Sequence, residues 1–282
     1  MASMKGRRSV GSPPPIHQCQ KTCIWLLRCG TVKDSTVTPE CPPACRRCEL
    51  RQTDAFIEFS EQKLDYLESV RESAIELAAG RQIIAEHKSS TRLFTLYSGW
   101  AFRYKTLSDS RRQILNFLVP GDLIGLQEEF ADGATPGVEA LTNVSLCVFP
   151  REALWQMFRD DPQLGYDVTW LAAREESLVD ESLLTTGRRT ALERVAMLLV
   201  QLYRRAERVG LAQQGSIAFP FTQQHIADAL GLSLVHTNKT LRRLGRMGMH
   251  SLEEGRLVLN DPRGLEMVAD YYQRPIRKAP LI

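Results

Sequence analysis

The stretch FTQQHIADALGLSLVHTNKTLRRLGRMG, Phe221 to Gly248, decides how this chain is read. Thr222 stands at an N-cap position, ahead of a helix whose Ile226, Ala227 and Leu230 recur at core-facing spacing. Gly231 follows where the chain must turn through positive φ. Ser233 then caps a second helix with Thr237, Leu241 and Leu244 inward. Two short helices joined by a glycine turn make a helix-turn-helix. The second helix turns Leu234, Val235, Asn238, Lys239 and Arg242 outward. Asn suits an adenine edge, Lys a guanine or a phosphate, and Val a thymine methyl. Arg243 and Arg246 are better placed for backbone phosphates. The candidate DNA contacts are therefore Thr222, Gln223, Ser233, Leu234, Val235, His236, Asn238, Lys239, Arg242, Arg243 and Arg246. Ser251-Leu252, a turn at Glu253-Glu254-Gly255, and Arg256 to Leu259 add a wing. A generic helical hairpin with a solvated basic face is the bland alternative. The caps, the turn glycine and the basic face together argue against it.

Charge divides along the chain in the same way. The 282 residues carry a net +3, made of +4 over residues 1–40, −8 over 41–187 and +7 over 188–282. An acidic middle joined to a basic end directs only the C-terminal part toward a polyanion such as double-stranded DNA. With 43% hydrophobic and 24% charged residues the composition is globular, which excludes full-length disorder and collagen-like repeats. Uncharged apolar runs such as Cys23 to Leu27 are far too short for a membrane span, and the N-terminus is a poor secretory signal. A cytoplasmic protein without a membrane partner is expected.

Residues 1–40, rich in Ser, Pro and Thr, are expected to be a mobile extension. Residues 41–155 form the second unit. After a short helix capped by Ser60, runs such as Leu93–Tyr97, Trp100–Leu107, Gln113–Val119 and Val144–Phe149 alternate with turn residues, which predicts a jelly roll. Residues 156–187 turn helical. Leu164, Leu171 and Leu178 stand seven apart with Val168 on the same stripe, the spacing of a dimer seam or of one face of a core helix. Residues 188–282 hold a further helix ending at Gly210 and the winged helix-turn-helix. The fold class is α+β.

A barrel, a long helix and a winged helix-turn-helix in this order resemble a Crp/Fnr-type transcription regulator, closer to the Fnr-like and FixK-like branch than to the cyclic-AMP branch. The resemblance covers roughly residues 41–270. It rests on the turn Tyr97-Ser98-Gly99, the motif VPGDLIG (Val119 to Gly125), the long helix and TQQHIADALGLS (Thr222 to Ser233). It implies a homodimer, a self-partnership through Leu164, Val168, Leu171 and Leu178, that reads a palindromic site and meets RNA polymerase. It also implies an activator rather than an enzyme. Family base-reading positions fall on Val235, Asn238 and Lys239. Val cannot accept a hydrogen bond from cytosine, and Lys lacks the bidentate fork of Arg.

The signal is read from the barrel. The positions that hold a cyclic nucleotide in the cyclic-AMP branch fall on Ala134, Thr135 and Leu126, and no Lys or Arg occurs between Arg112 and Arg151. Without a cation a phosphate there is expensive, so cyclic nucleotide is not expected. The Fnr branch implies a [4Fe–4S] cluster on Cys45, Cys48 and Cys147, with Cys41 or Asp54 as the fourth ligand. The thiols alone leave other readings open. Cys147 reads equally as a small buried hydrophobe, and the N-terminal cysteines as a zinc or thiol site with Cys19, Cys23 or Cys29, or as binding no metal. Rivals from other classes are a cupin-like enzyme, for which His87 is the one barrel histidine, and a regulator that no longer binds DNA.

Overall fold

The computed structural model describes residues 42–88, 90–129, 135–272 and 277–282, so the extension 1–40 and Cys41 lie outside the described residues. Helix α1 (Glu61–Val70) starts where Ser60 Oγ accepts the Lys63 N–H at 3.3 Å. Eight strands follow: β1 (Ser73–Leu77), β2 (Gln82–Ile84), β3 (Arg92–Ser98), β4 (Ala101–Thr106), β5 (Arg112–Leu118), β6 (Leu123–Ile124), β7 (Gly137–Ala140) and β8 (Val144–Pro150). They form two antiparallel sheets in the orders β1-β8-β3-β6 and β2-β7-β4-β5, the expected jelly roll. Alternation decides which side chain goes where. Phe94, Leu96, Leu146 and Val148 fill the barrel with Ile124 and Val138. Their neighbours Leu93 and Phe149 face outward, beneath Leu67 of α1.

Helix α2 (Ala153–Asp160) precedes the long helix α3 (Pro162–Arg188). The break falls at Asp161, whose Oδ1 accepts the Gln163 and Leu164 N–H groups. The apolar stripe of α3 does not serve as a free seam. Leu164, Val168 and Leu171 pack with Leu67, Phe149 and Met157 inside the chain's own core, and Leu178 is half-buried. Of the two readings of the seven-residue spacing, the chain's own core accounts for Leu164, Val168 and Leu171. Tyr166, Thr169, Ala173, Asp180 and Leu184 lie on the opposite, exposed face.

Helix α4 (Ala191–Arg208) opens with a capping box between Thr190 and Glu193. Beyond it come β9 (Ser216–Ala218), α5 (Gln223–Leu230), α6 (Leu234–Arg246), β10 (His250–Glu253), β11 (Arg256–Leu259) and α7 (Pro262–Ala269). The wing is three-stranded, in the order β10-β11-β9; the three residues of β9 are too few to show a period in sequence. The outer face of β4 and β5 packs directly on this domain. Trp100 and Phe117 meet Phe221 edge-on, with ring centroids 5.1 and 4.7 Å apart, and Phe219 lies 4.8 Å from Phe221. Barrel and DNA-binding domain therefore share one aromatic core.

Turn geometry holds the strands in register. Gly99, between β3 and β4, has φ +85°, and a Cβ there would stand 2.2 Å from the Asn143 carbonyl oxygen. Gly99→Ala should lower stability by about 2 kcal/mol or more through backbone strain alone. Urea unfolding reads this directly, and an unchanged midpoint would refute the account.

Candidate nucleic-acid interface and cysteine pocket

The helix-turn-helix is built by local chemistry. Thr222 Oγ1 accepts the His225 N–H at 3.2 Å, and His225 Nδ1 accepts the Thr222 N–H at 3.2 Å. His225 thus takes the place that Glu or Gln usually fills in a capping box. Gly231 ends α5 in the left-handed region, φ +61°. The last carbonyls of α5 are also satisfied by side chains: Ala229 O accepts from Gln113 Nε2 at 3.0 Å, and Leu230 O from Arg194 at 3.1 Å. Ser233 Oγ then accepts the His236 N–H at 3.2 Å to begin α6. Thr237, Thr240, Leu241 and Leu244 are buried, which leaves Leu234, Val235, His236, Lys239, Arg242, Arg243 and Arg246 exposed on the other face. Thr222, Gln223 and Ser233 are exposed beside them. Asn238 departs from the expected outward set: it is half-buried, and its Oδ1 is enclosed without a hydrogen-bond partner. It does not present both amide groups to solvent.

The three described cysteines converge on one small cavity, shared with Arg51, Arg71, Thr95 and Ile282. Cys45 is buried on a 3-10 turn, with its N–H donated to Glu68 Oε2 at 2.7 Å. Cys147 enters from β8, opposite Thr95 of β3, on the outer face of the barrel. Arg71 lies 3.8 Å from Cys147 Sγ and pairs with Glu68 at 2.6 Å. Arg51 donates to Leu281 O at 2.9 Å, and Thr95 Oγ1 to Ile282 O at 2.6 Å. Burial pushes the Cys45 thiol up to about 12 and raises Cys147 as well, with Arg71 opposing both. Asp54 is not part of this pocket. It is fully exposed and pairs with Lys278 at 3.5 Å.

Residues 193–268 match the Crp-like helix-turn-helix domain, and residues 74–161 the cyclic nucleotide-binding domain. Over 182 residues the chain is 31% identical to the nitrogen fixation regulation protein FixK of Azorhizobium caulinodans, covering 64% of this chain and 73% of that protein. The chain belongs to the Crp/Fnr family of transcription regulators. Its members bind DNA and are not enzymes. The transcriptional activator protein FnrL of Cereibacter sphaeroides is 28% identical over 76% of this chain and 87% of its own length. The structure of FixK2 from Bradyrhizobium japonicum superposes with a TM-score of 0.63 at 29% identity, over 70% of this chain and 96% of that one.

Against the family's ligand sites, two regions diverge. In the barrel, Leu126 is buried, Thr135 is buried with its hydroxyl 3.5 Å from Lys88 O, and Ala134 lies outside the described residues. The cavity beside Leu126 is about 20 Å³, and its cation, Arg103, is paired with Glu175 at 2.6 Å. That is room for about one water, not a nucleotide. The cysteine cavity is also about 20 Å³. Three thiols, two guanidiniums and Ile282 around such a space do not fit a [4Fe–4S] cluster. Among the described residues no three His, Cys, Asp or Glu side chains stand grouped to hold a metal ion. The expectation for Asp54 is therefore corrected, and that for Cys41 falls outside the described residues.

His225 generates a pH dependence. Its Nδ1 accepts a hydrogen bond, so the fold uses the neutral imidazole. Burial, and then Arg112, hold its pKa below the usual histidine value, with Asp228 opposing; burial does the same to His250. A base whose folded pKa is depressed contributes fully above its ordinary pKa of about 6.5 and loses stability as pH falls below it. The thermal midpoint should therefore drop between about pH 7 and pH 5. His225→Gln should shrink the drop without abolishing it, since His250 remains. An identical pH profile in both proteins contradicts this role.

Proposed function

We propose that this chain is a homodimeric, sequence-specific transcription activator in which α6 of each protomer reads one half of a palindrome. The observation that carries the reading is α6 itself. It is capped at Ser233 and packed through Thr237, Leu241 and Leu244, with Lys239, Arg242, Arg243 and Arg246 exposed together on its solvent side. Leu234, Val235, His236 and Lys239 lie toward the N-terminal part of α6, which enters a major groove in helix-turn-helix proteins. Arg242 follows on the same outward face, whereas Arg243 and Arg246, with Thr222, Gln223 and Ser233, are suited to the flanking backbone. Asn238 contributes only if its side chain turns outward.

Dimerisation is assigned to the exposed face of α3 through Tyr166, Thr169, Ala173, Asp180 and Leu184, because the opposite stripe is already covered. Small Ala173 and Thr169 let a second helix approach closely. RNA polymerase is the expected further partner, in keeping with the activators this chain resembles.

Replacing Lys239 and Arg242 with Ala should weaken binding to the cognate palindrome by at least about tenfold, at ~1–3 kcal/mol per base contact. Arg243→Ala with Arg246→Ala should instead flatten the dependence of log K on log salt, by about one unit per lost phosphate contact. A fluorescence anisotropy titration across salt concentrations measures both. Equal binding to a site with one half removed would sink the paired-helix arrangement.

The cysteine pocket supports a signal other than a cluster. Protein purified without oxygen should carry well under one iron per chain, and Cys147→Ala should leave its absorption spectrum unchanged. Near four irons and four sulfides, lost in air and in Cys147→Ala, would restore the cluster.

A further inference from the structure

A larger cavity lies outside both ligand sites. It measures about 740 Å³ and is bounded by the segment around Ala55 and Phe56, the Val119–Asp122 turn, α3, α4 and Tyr271. That is the size range of pockets that enclose a nucleotide-sized molecule. Its walls carry an unbalanced set of cations. Arg174 of α3 and Arg205 of α4 share one carboxylate, Asp122, at 3.8 and 2.6 Å. Arg208 donates to the carbonyls of Ala55 and Arg277, and among the described residues no carboxylate pairs with it. The Nε groups of Arg205 and Arg208 are enclosed without hydrogen-bond partners.

The other charges at the cavity are already neutralised. Arg204 pairs with Glu207 and Glu266 at 3.0 and 2.7 Å, and Asp54 pairs with Lys278. The simplest alternative is that Arg205 and Arg208 complement the C-terminal dipole of α4. That does not account for Arg174, which comes from a different helix. Burial depresses the pKa of both Arg174 and Arg208; Asp122 opposes it at each, while Arg205 adds to it at Arg174 and Arg174 and Arg205 add to it at Arg208. Half-buried guanidiniums that repel one another are relieved by an anion, and their planar forks match phosphate. Phe56, Val119, Pro120 and Val209 supply an apolar wall, and half-buried Tyr271 offers a ring for stacking.

We propose that this cavity binds a small molecule bearing a phosphate on a nucleotide-sized body, with Arg174, Arg205 and Arg208 holding the phosphate. The bound anion ties α3 and α4 to one group, and the body of the ligand lies against Val119 and Pro120 of the barrel turn. It would therefore set how the DNA-binding domain sits against the barrel, a consequence that rests on the regulator reading, whereas the binding itself does not.

Titration calorimetry on the full chain without DNA, with ADP and GDP as probes, tests the proposal. At least one of them should bind at submillimolar concentration, with adenosine and inorganic phosphate each at least about tenfold weaker. Arg174→Gln and Arg208→Gln should each weaken binding about tenfold or more. The Lys239→Ala, Arg242→Ala variant should bind as the unaltered chain does. The proposal is overturned if neither nucleotide binds, if phosphate alone binds as tightly, or if binding is lost only with Lys239 and Arg242, which would place the anion on the DNA-reading face. Palindrome binding by Arg174→Gln and Arg208→Gln without nucleotide reports separately on the DNA-binding reading.

Discussion

The Asp122 carboxylate is the point on which the two halves of the molecule depend. Its Oδ2 accepts the Val119 N–H at 2.9 Å, which closes the turn, and its backbone carbonyl accepts the Leu96 N–H at 3.0 Å, which fastens that turn to β3. The same carboxylate reaches Arg205 on α4 and Arg174 on α3. One buried anion thus sets the distance between barrel, long helix and DNA-binding domain. A charge so placed is tolerated only because cations surround it; breaking such a group on one side leaves the rest uncompensated. Arg103 and Glu175 repeat the arrangement one step further along α3, again between a barrel strand and the helix.

Two features of the barrel follow from strand alternation. β8 sends Leu146 and Val148 inward, so Cys147 emerges on the outside, where the N-terminal turns bring Cys45 and Cys48. The cysteines therefore communicate with α1 and with Leu281 and Ile282, not with the barrel interior. The interior is left to apolar side chains such as Phe94, Leu96 and Val138. The match to the cyclic nucleotide-binding domain is a match of architecture, and two of the positions that the resemblance assigns to a ligand are here the buried Leu126 and Thr135.

Local signals made the DNA-reading element legible in the sequence. Thr222, Gly231 and Ser233 each act within four residues, so their caps and turn do not depend on the rest of the chain. The jelly roll was legible from its turns, although β7, four residues long, is too short to display alternation. What resisted reading was non-local. The period of α3 shows that Leu164, Val168 and Leu171 are covered but not what covers them, since that depends on where the barrel lies. Likewise the resemblance that brought Asp54 into the cysteine set says nothing of its direction, and the structure turns it toward Lys278. The arginine cavity draws Arg174 and Arg205 from different helices and Asp122 from a turn, which no linear pattern brings together.

The aromatic contact between Trp100, Phe117, Phe219 and Phe221 has a consequence for how this protein tolerates change. Because the boundary between the halves runs through a packed hydrophobic core, cutting the chain there would strand large aromatic faces in water. The DNA-binding half is thus not a portable module, and it inherits its stability from the barrel that supports it. A substitution on the outer face of β4 or β5, remote from any base, reaches α5 and α6 through packing alone.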